Sequence, residues 1–238
     1  MTSRPSSVLD LVLPAECAGC HRAGASWCRR CDRALTRLAL PSGPSMVVPD
    51  PPPRRLPDTV AWGLYDDPLR AAITAWKDEG RRDLLTVLAP LLAAAMEAAC
   101  AHADWTQGPV LIVPAPSSSR STRIRGDMPS VDLAGGAVRA HLSRRTLRLV
   151  PAVAPARAVA DQAGLSATSR TANLRRAHVV ASRWLPVVRD RRCLVVDDVL
   201  TTGATITECA RALMQAGAME VRGATVAISR RRTALDGR

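Results

Sequence analysis

Residues 193–205 read Cys-Leu-Val-Val-Asp-Asp-Val-Leu-Thr-Thr-Gly-Ala-Thr, a short apolar strand running into two adjacent carboxylates and then a hydroxyl-rich turn with one glycine. Desolvating two carboxylates at the end of a strand is costly unless something there needs acceptors, such as vicinal hydroxyls or a hydrated cation. The hydroxyls of a sugar suit Asp197 and Asp198. Thr201, Thr202 and Thr205 then place hydroxyls around Gly203 and Ala204, where the glycine permits close approach. The backbone N–H groups that open the next helix make this turn a place for phosphate. Thr205-x-x-Glu208 also fits a capping box, which would start the helix at the anion site. In a plainer alternative the carboxylates merely end a strand and Thr201–Thr205 is an ordinary β-to-α turn. Each half is common alone, whereas the two joined are specific.

Outward from this stretch the chain alternates α and β. Thr59–Leu64, Pro109–Val113, Leu147–Val153, Cys193–Val196 and Val221–Ile228 read as strands, and most of them are almost wholly apolar. Asp67–Lys77, Arg81–Ala101, Ser130–Arg144 and Thr205–Ala216 carry helical patterns. Short apolar strands alternating with helices predict an α/β fold, a parallel sheet with helices on both faces. Ligands of such sheets bind beyond the carboxyl ends of the strands. A second phosphate-gripping element is expected where Val110–Val113 runs into Pro114-Ala115-Pro116-Ser-Ser-Ser-Arg120. Pro114, Ala115, Arg120, Arg123 and Arg125 are the candidates there for anionic ligand oxygens, with a solvated basic loop as the alternative. Lys77, the only lysine, reads as a helix-end cap or a surface charge.

Cys17-x-x-Cys20 and Cys28-x-x-Cys31 form two hooks of the spacing that closes a tetrahedral thiolate site, and a structural zinc is the expected occupant. Two disulfides or a redox pair compete with this reading. No export signal accompanies the cysteines, and neither hook opens a βαβ unit. His21 adjoins the second cysteine but is not needed as a ligand. The expected organisation is a zinc module over 1–40, a linker over 41–57 with seven prolines, and a main domain over 58–238. Extended polyproline geometry in the linker would hold the first module away from the second.

The 238 residues suffice for one medium domain and a small appendage. Hydrophobic residues at 47% exclude wholesale disorder and a collagen-like chain. The net charge of +12 makes a phosphate-bearing partner plausible. Most of it sits between Pro114 and Arg192, where 15 Arg face four Asp and no Glu. Gln162 and Asn173, flanked by Arg157, Arg170, Arg175 and Arg176, form a polar cluster there, although each is also an ordinary loop residue. The zinc module is basic too, with Arg22, Arg29, Arg30, Arg33 and Arg37 against Glu16 and Asp32, so nucleic acid could touch it. With five Trp, one Tyr and no Phe, few flat side chains remain for stacking on bases. The longest uncharged apolar run, Leu84–Met96, is short for a membrane span, and a cytoplasmic protein is expected.

The Val-Val-Asp-Asp and Thr-Thr-Gly-x-Thr pattern resembles the phosphoribosyl diphosphate (PRPP) loop of type I phosphoribosyltransferases. With the cysteine hooks, Leu9–Cys20, Trp76-Lys77-x-x-Gly80, Pro114-x-Pro116 and Gln162…Arg170…Asn173 in order, the chain is similar to ComF-type proteins over nearly its whole length. One landmark departs: Asp127-Met128-Pro129 follow Gly126 where the family commonly has Phe-Asn-Gln. The resemblance implies a type I phosphoribosyltransferase-like domain behind a four-cysteine finger, with zinc in the finger and magnesium accompanying PRPP. It implies that Asp197 and Asp198 hold the ribose 2′ and 3′ hydroxyls while Thr201, Thr202, Gly203, Ala204 and Thr205 cradle the 5′-phosphate. It further implies a role in the import of single-stranded DNA, alongside an uptake machinery. Two rival readings stay open: a working phosphoribosyltransferase of nucleotide metabolism, and a zinc-dependent module that binds single-stranded DNA.

Overall fold

A computed structural model describes residues 15–105, 108–116, 128–140, 146–155 and 177–229. Its strands are β1 (Ser45–Met46), β2 (Thr59–Leu64), β3 (Val110–Pro114), β4 (Leu147–Leu149), β5 (Val153–Pro155), β6 (His178–Val180), β7 (Arg192–Leu200) and β8 (Glu220–Ile228). The helices are α1 (Arg29–Leu35), α2 (Leu69–Asp78), α3 (Leu85–His102), α4 (Pro129–Ala140), α5 (Leu185–Val188) and α6 (Ala204–Gln215). Six strands make one sheet in the order β1-β2-β8-β7-β3-β4. Only the edge strand β1 pairs antiparallel within it.

The apolar runs are continuous because both faces of the sheet are covered. Val110 and Ile112 of β3 and Leu194 and Val196 of β7 join the core under α2, α3 and α4. Leu111, Val113, Cys193 and Val195, one residue out of phase, join the core under α6. The strand order sets β7 in the middle of the sheet, and its carboxyl end is where Asp197 and Asp198 emerge. The segment Arg82–His102 has the length and mean hydropathy (1.9) of a membrane-crossing helix, yet half of it is buried, with Leu88, Leu92 and Met96 in the core.

Three expectations change. The run Leu147–Val153 is two strands in two sheets: β4 extends the main sheet and β5 pairs antiparallel with β6. Pro151, between them, has no N–H to give a ladder. The proline-rich stretch does not hold the modules apart. Ser45–Met46 pairs with Val60–Ala61, Val47 donates its N–H to Thr59 O, and Val47 and Leu56 pack on the α6 side of the core. The cysteine module is docked as well: Ala18, Leu35 and Leu38 belong to the core under α2 and α3, and Leu38 O accepts the Leu64 N–H at 2.8 Å. Finally, the Thr205–Glu208 capping box is not formed. Gly203 caps α6 without a side-chain bond, and Glu208 instead pairs with Arg211 and accepts the His178 N–H at 3.4 Å.

That last cluster carries a pH signature. His178 is buried at 6% exposure, and its Nδ1 has no hydrogen-bond partner among the described residues. Burial holds its imidazole below the usual range, against the pull of Glu208 and with the push of Arg211. A folded pKa below the unfolded one means that the unfolded chain takes up the proton first as pH falls. Stability is therefore lost on acidification through about pH 6.5. The urea midpoint is expected to drop between neutral and mildly acidic pH, and His178→Gln to flatten that slope; an unchanged slope in the variant would contradict it.

Candidate functional site

β7 does not stop before its carboxylates. It continues to Leu200 because β8 continues beside it, through Val199–Ala227 and Leu200–Ile228. Both aspartates thus stand inside the strand, held there by β8 alone, since pairing with β3 ends at Val196. Each is tied locally: Asp198 N–H donates to Asp197 Oδ1 and Val199 N–H to Asp198 Oδ1, both at 2.9 Å. The pairing register skips Asp198, passing from Asp197–Thr225 to Val199–Ala227.

The pair borders a cleft together with Trp76, Lys77, Pro129, Ser130 and Leu133. Lys77 Nζ donates to Asp198 Oδ2 at 2.5 Å across 121 residues of sequence. The Asp198 side chain is 8% exposed and that of Lys77 31%. The lysine is therefore no surface cap, as its place near a helix end suggested. It is a site residue that sequence reasoning missed. Two signals were available: every other cation in the chain except histidine is arginine, and Lys77 stands in the Trp76-Lys77-x-x-Gly80 landmark. Burial opposes the Lys77 charge, but Asp198 and Asp197 overcome it and raise the pKa above the usual value.

Asp197 is half-buried. Burial first, and then the neighbouring Asp198, push its carboxyl well above the usual range, while Lys77 offsets part of the rise. A raised carboxyl contributes stability below the unfolded pKa of about 3.9 and loses it as pH climbs through the folded value. Asp197 therefore weighs against the fold at neutral pH. Asp197→Asn is expected to raise the thermal midpoint of the ligand-free protein at pH 7; a lowered midpoint would refute this account of the pair.

Beyond β7 the chain turns through Thr201 and Thr202, both exposed, to Gly203 at φ 71°, and α6 begins at Ala204. The positive φ is what the glycine is for. Thr207 N–H to Gly203 O is a first bond of α6, so the N–H groups of Thr205 and Ile206 precede the intrahelical ladder. Ala204 N–H reaches Thr202 Oγ1 at 3.4 Å. The other side of the turn is packed. A Cβ on Gly203 would lie 3.0 Å from both Leu56 and Pro53 and 3.5 Å from Pro49. The proline-rich stretch is thus a strap behind the loop, and the threonine side is the one open to a ligand.

On the adjacent strand, Pro114 sits opposite Val196, and Ala115 N–H donates to Val196 O at 2.9 Å. Both candidates stand beside the acidic pair. Neither has a spare N–H, since proline carries none and that of Ala115 is committed. Arg120, Arg123 and Arg125 lie outside the described residues, as do Arg157, Gln162, Arg170, Asn173, Arg175 and Arg176.

The four cysteines come together. Cys17, Cys20, Cys28 and Cys31 place their sulfurs within 4.8 Å of one another, and none is in a disulfide. Cys17 and Cys31 are 3.7 Å apart and Cys20 and Cys28 3.6 Å. A tetrahedral ion with sulfur bonds of ~2.3 Å needs edges of ~3.8 Å, so the thiols already have the dimensions of a zinc site. Cys28 N–H points at Cys17 Sγ at 3.4 Å, and a backbone hydrogen bond from Cys31 helps to lower the Cys28 thiol to about 6. Burial pushes Cys31 up. His21 is exposed and outside the cluster.

The family model of the phosphoribosyl transferase domain matches residues 140–237, which include β7, the threonine turn and α6. The DNA utilization protein YhgH of Escherichia coli O6:H1 is 34% identical over 211 residues, 86% of each chain. Its counterpart in Salmonella typhimurium is 32% identical over 209 residues, 86% of this chain and 85% of that one. The chain belongs to the ComF family. The match of this ComF-family chain to its relatives is long enough to include more than the phosphoribosyltransferase-like domain. A solved Trypanosoma cruzi hypoxanthine phosphoribosyl transferase aligns with 64% of the ComF chain and 70% of its own at 13% identity, with a TM-score of 0.37.

Proposed function

We propose that this protein binds PRPP or a closely related phosphoribosyl ligand at the carboxyl end of β7 and serves the handling of DNA in the cytoplasm. The observation that carries this reading is the continuity of Asp197 and Asp198 with a left-handed Gly203 turn that opens α6. In it, carboxylate oxygens accept from the vicinal hydroxyls of a pentose. The 5′-phosphate meets Thr201, Thr202, Thr205 and the first N–H groups of α6, where an anion is favoured. The diphosphate lies toward β3 and the N-terminal turn of α4, whose Pro129 and Ser130 line the cleft. Magnesium would supply charge neutralisation on that diphosphate. The four-thiol cluster would hold a structural zinc. That none of the seven cysteines is in a disulfide suits a reducing compartment.

Calorimetric titration with PRPP and magnesium tests the reading. One site per chain is expected, lost when Asp197→Ala and Asp198→Ala are combined. Absence of binding to the wild-type chain, or undiminished binding to the double variant, would reject it. Release of diphosphate in the presence of a panel of bases separates a binding protein from a working transferase.

A second activity is favoured by one observation. Arg22, Arg29, Arg30, Arg33 and Arg37 of the cysteine module are all exposed. Such a face suits the backbone of single-stranded DNA, and its relatives' name concerns DNA utilization. Retardation of single strands that weakens steeply with salt is the expected result; a flat salt response would count against it.

A further inference from the structure

Lys77 reaches the acidic cleft from α2, and no reading of the PRPP loop calls for it. Both oxygens of Asp198 are engaged before any ligand arrives, Oδ1 by the Val199 N–H and Oδ2 by the Lys77 ammonium. The cleft is therefore not an open pair of carboxylates carrying two negative charges. A divalent cation binding directly to Asp198 would have to meet a carboxylate oxygen where an ammonium already stands. The choice of lysine suits this place. An ammonium is a compact point charge with three donors, unlike the planar fork of arginine that supplies all other such cations of this chain.

We infer that Lys77 is the built-in cation of the acidic cleft: it takes on Asp198 the position that a divalent metal would occupy. The cleft then receives the hydroxyl face of a pentose without a metal bound by the protein, and magnesium enters only on the diphosphate of the ligand. Lys77 is a positioning residue in this scheme, acting through Asp198. The pentose in the scheme rests on the phosphoribosyl reading given above; the exclusion of metal does not.

Manganese alone is the probe, titrated into the full chain with its four-cysteine site kept saturated with zinc and followed by the paramagnetic signal of free ion. Wild type is expected to bind weakly. Lys77→Gln should gain one site at least about tenfold tighter, because a unit charge next to the carboxylates is gone. Lys77→Arg, which keeps the charge, should stay weak, and adding Asp198→Asn to Lys77→Gln should erase the gain. Acetylating the single lysine of the folded wild-type protein removes the same charge without a substitution, so the test stands even if Lys77→Gln folds poorly. Equal binding by wild type and by the neutralised forms, or a gain that survives without Asp198, overturns the inference. Failure of PRPP to bind, with manganese behaving as described, would instead remove the pentose and leave the built-in cation.

Discussion

Purified protein is expected to carry one zinc ion per chain, and removing it with a chelator or by Cys31→Ser to cost several kcal/mol of stability. Apparent binding energies of structural zinc in isolated fingers are about 10–16 kcal/mol, and in such modules this energy drives folding. Here it would hold residues on which the main domain leans. Cys17 and Cys31 are buried, and α1 starts at Arg29 without a side-chain cap, so a metal bound there would replace ordinary local stabilisers. Gly19 lies so close to Pro68 and Trp27 that a Cβ there would be 2.8 Å from Pro68 and 3.0 Å from the indole. Arg81 reaches from the far end of α2 to Glu16 O at 3.2 Å. Loss of the ion should therefore unfold the module and also loosen both ends of α2, the helix that carries Lys77. Metal analysis and urea melts with and without chelator check this. A zinc-free chain with an unchanged midpoint would show that the thiols are held together by packing alone.

Gly63→Ala is expected to destabilise by about 3 kcal/mol or more, at the upper end of what overpacking costs. An added Cβ would sit 2.4 Å from Leu38 O and 3.1 Å from Leu38 C. These are backbone atoms, and neither side can yield easily. β2 lies between β1 and β8, while the Leu38–Leu40 segment is held by Leu64 N–H to Leu38 O and Leu40 N–H to Trp62 O. The substitution thus pries the cysteine module away from the sheet at its point of exit. A lowered urea midpoint with zinc still bound is the expected signature. A midpoint within about 0.5 kcal/mol of wild type, the usual range of surface substitutions, would mean that the contact is looser than the geometry states.

How much of the site was legible follows from the range over which its parts act. The acidic pair, the threonine turn and the cysteine hooks are read within a dozen or so residues, because strand continuity and ligand spacing are properties of neighbouring positions. The cap of α6 lies two residues before the one the capping box implies, since Gly203 in a left-handed conformation caps the helix instead of Thr205. Glu208 has the spacing of a capping box yet points to Arg211, because burial beside His178 makes an ion pair the better use of its oxygens. The proline-rich stretch reads as a spacer from composition alone. Apolar Val47 and Leu56 between its prolines are what pull it onto the sheet.

Composition, period and spacing alone determined a sheet buried on both faces, an acidic strand end beside a threonine turn, and a four-thiol clasp, since each is encoded between residues close in the chain. Only the tertiary structure decided that Lys77 closes on Asp198, that the strap backs Gly203, and that the clasp docks on α2. Those pairings join segments far apart in sequence, and their partners are chosen by which surfaces the packed core brings within reach.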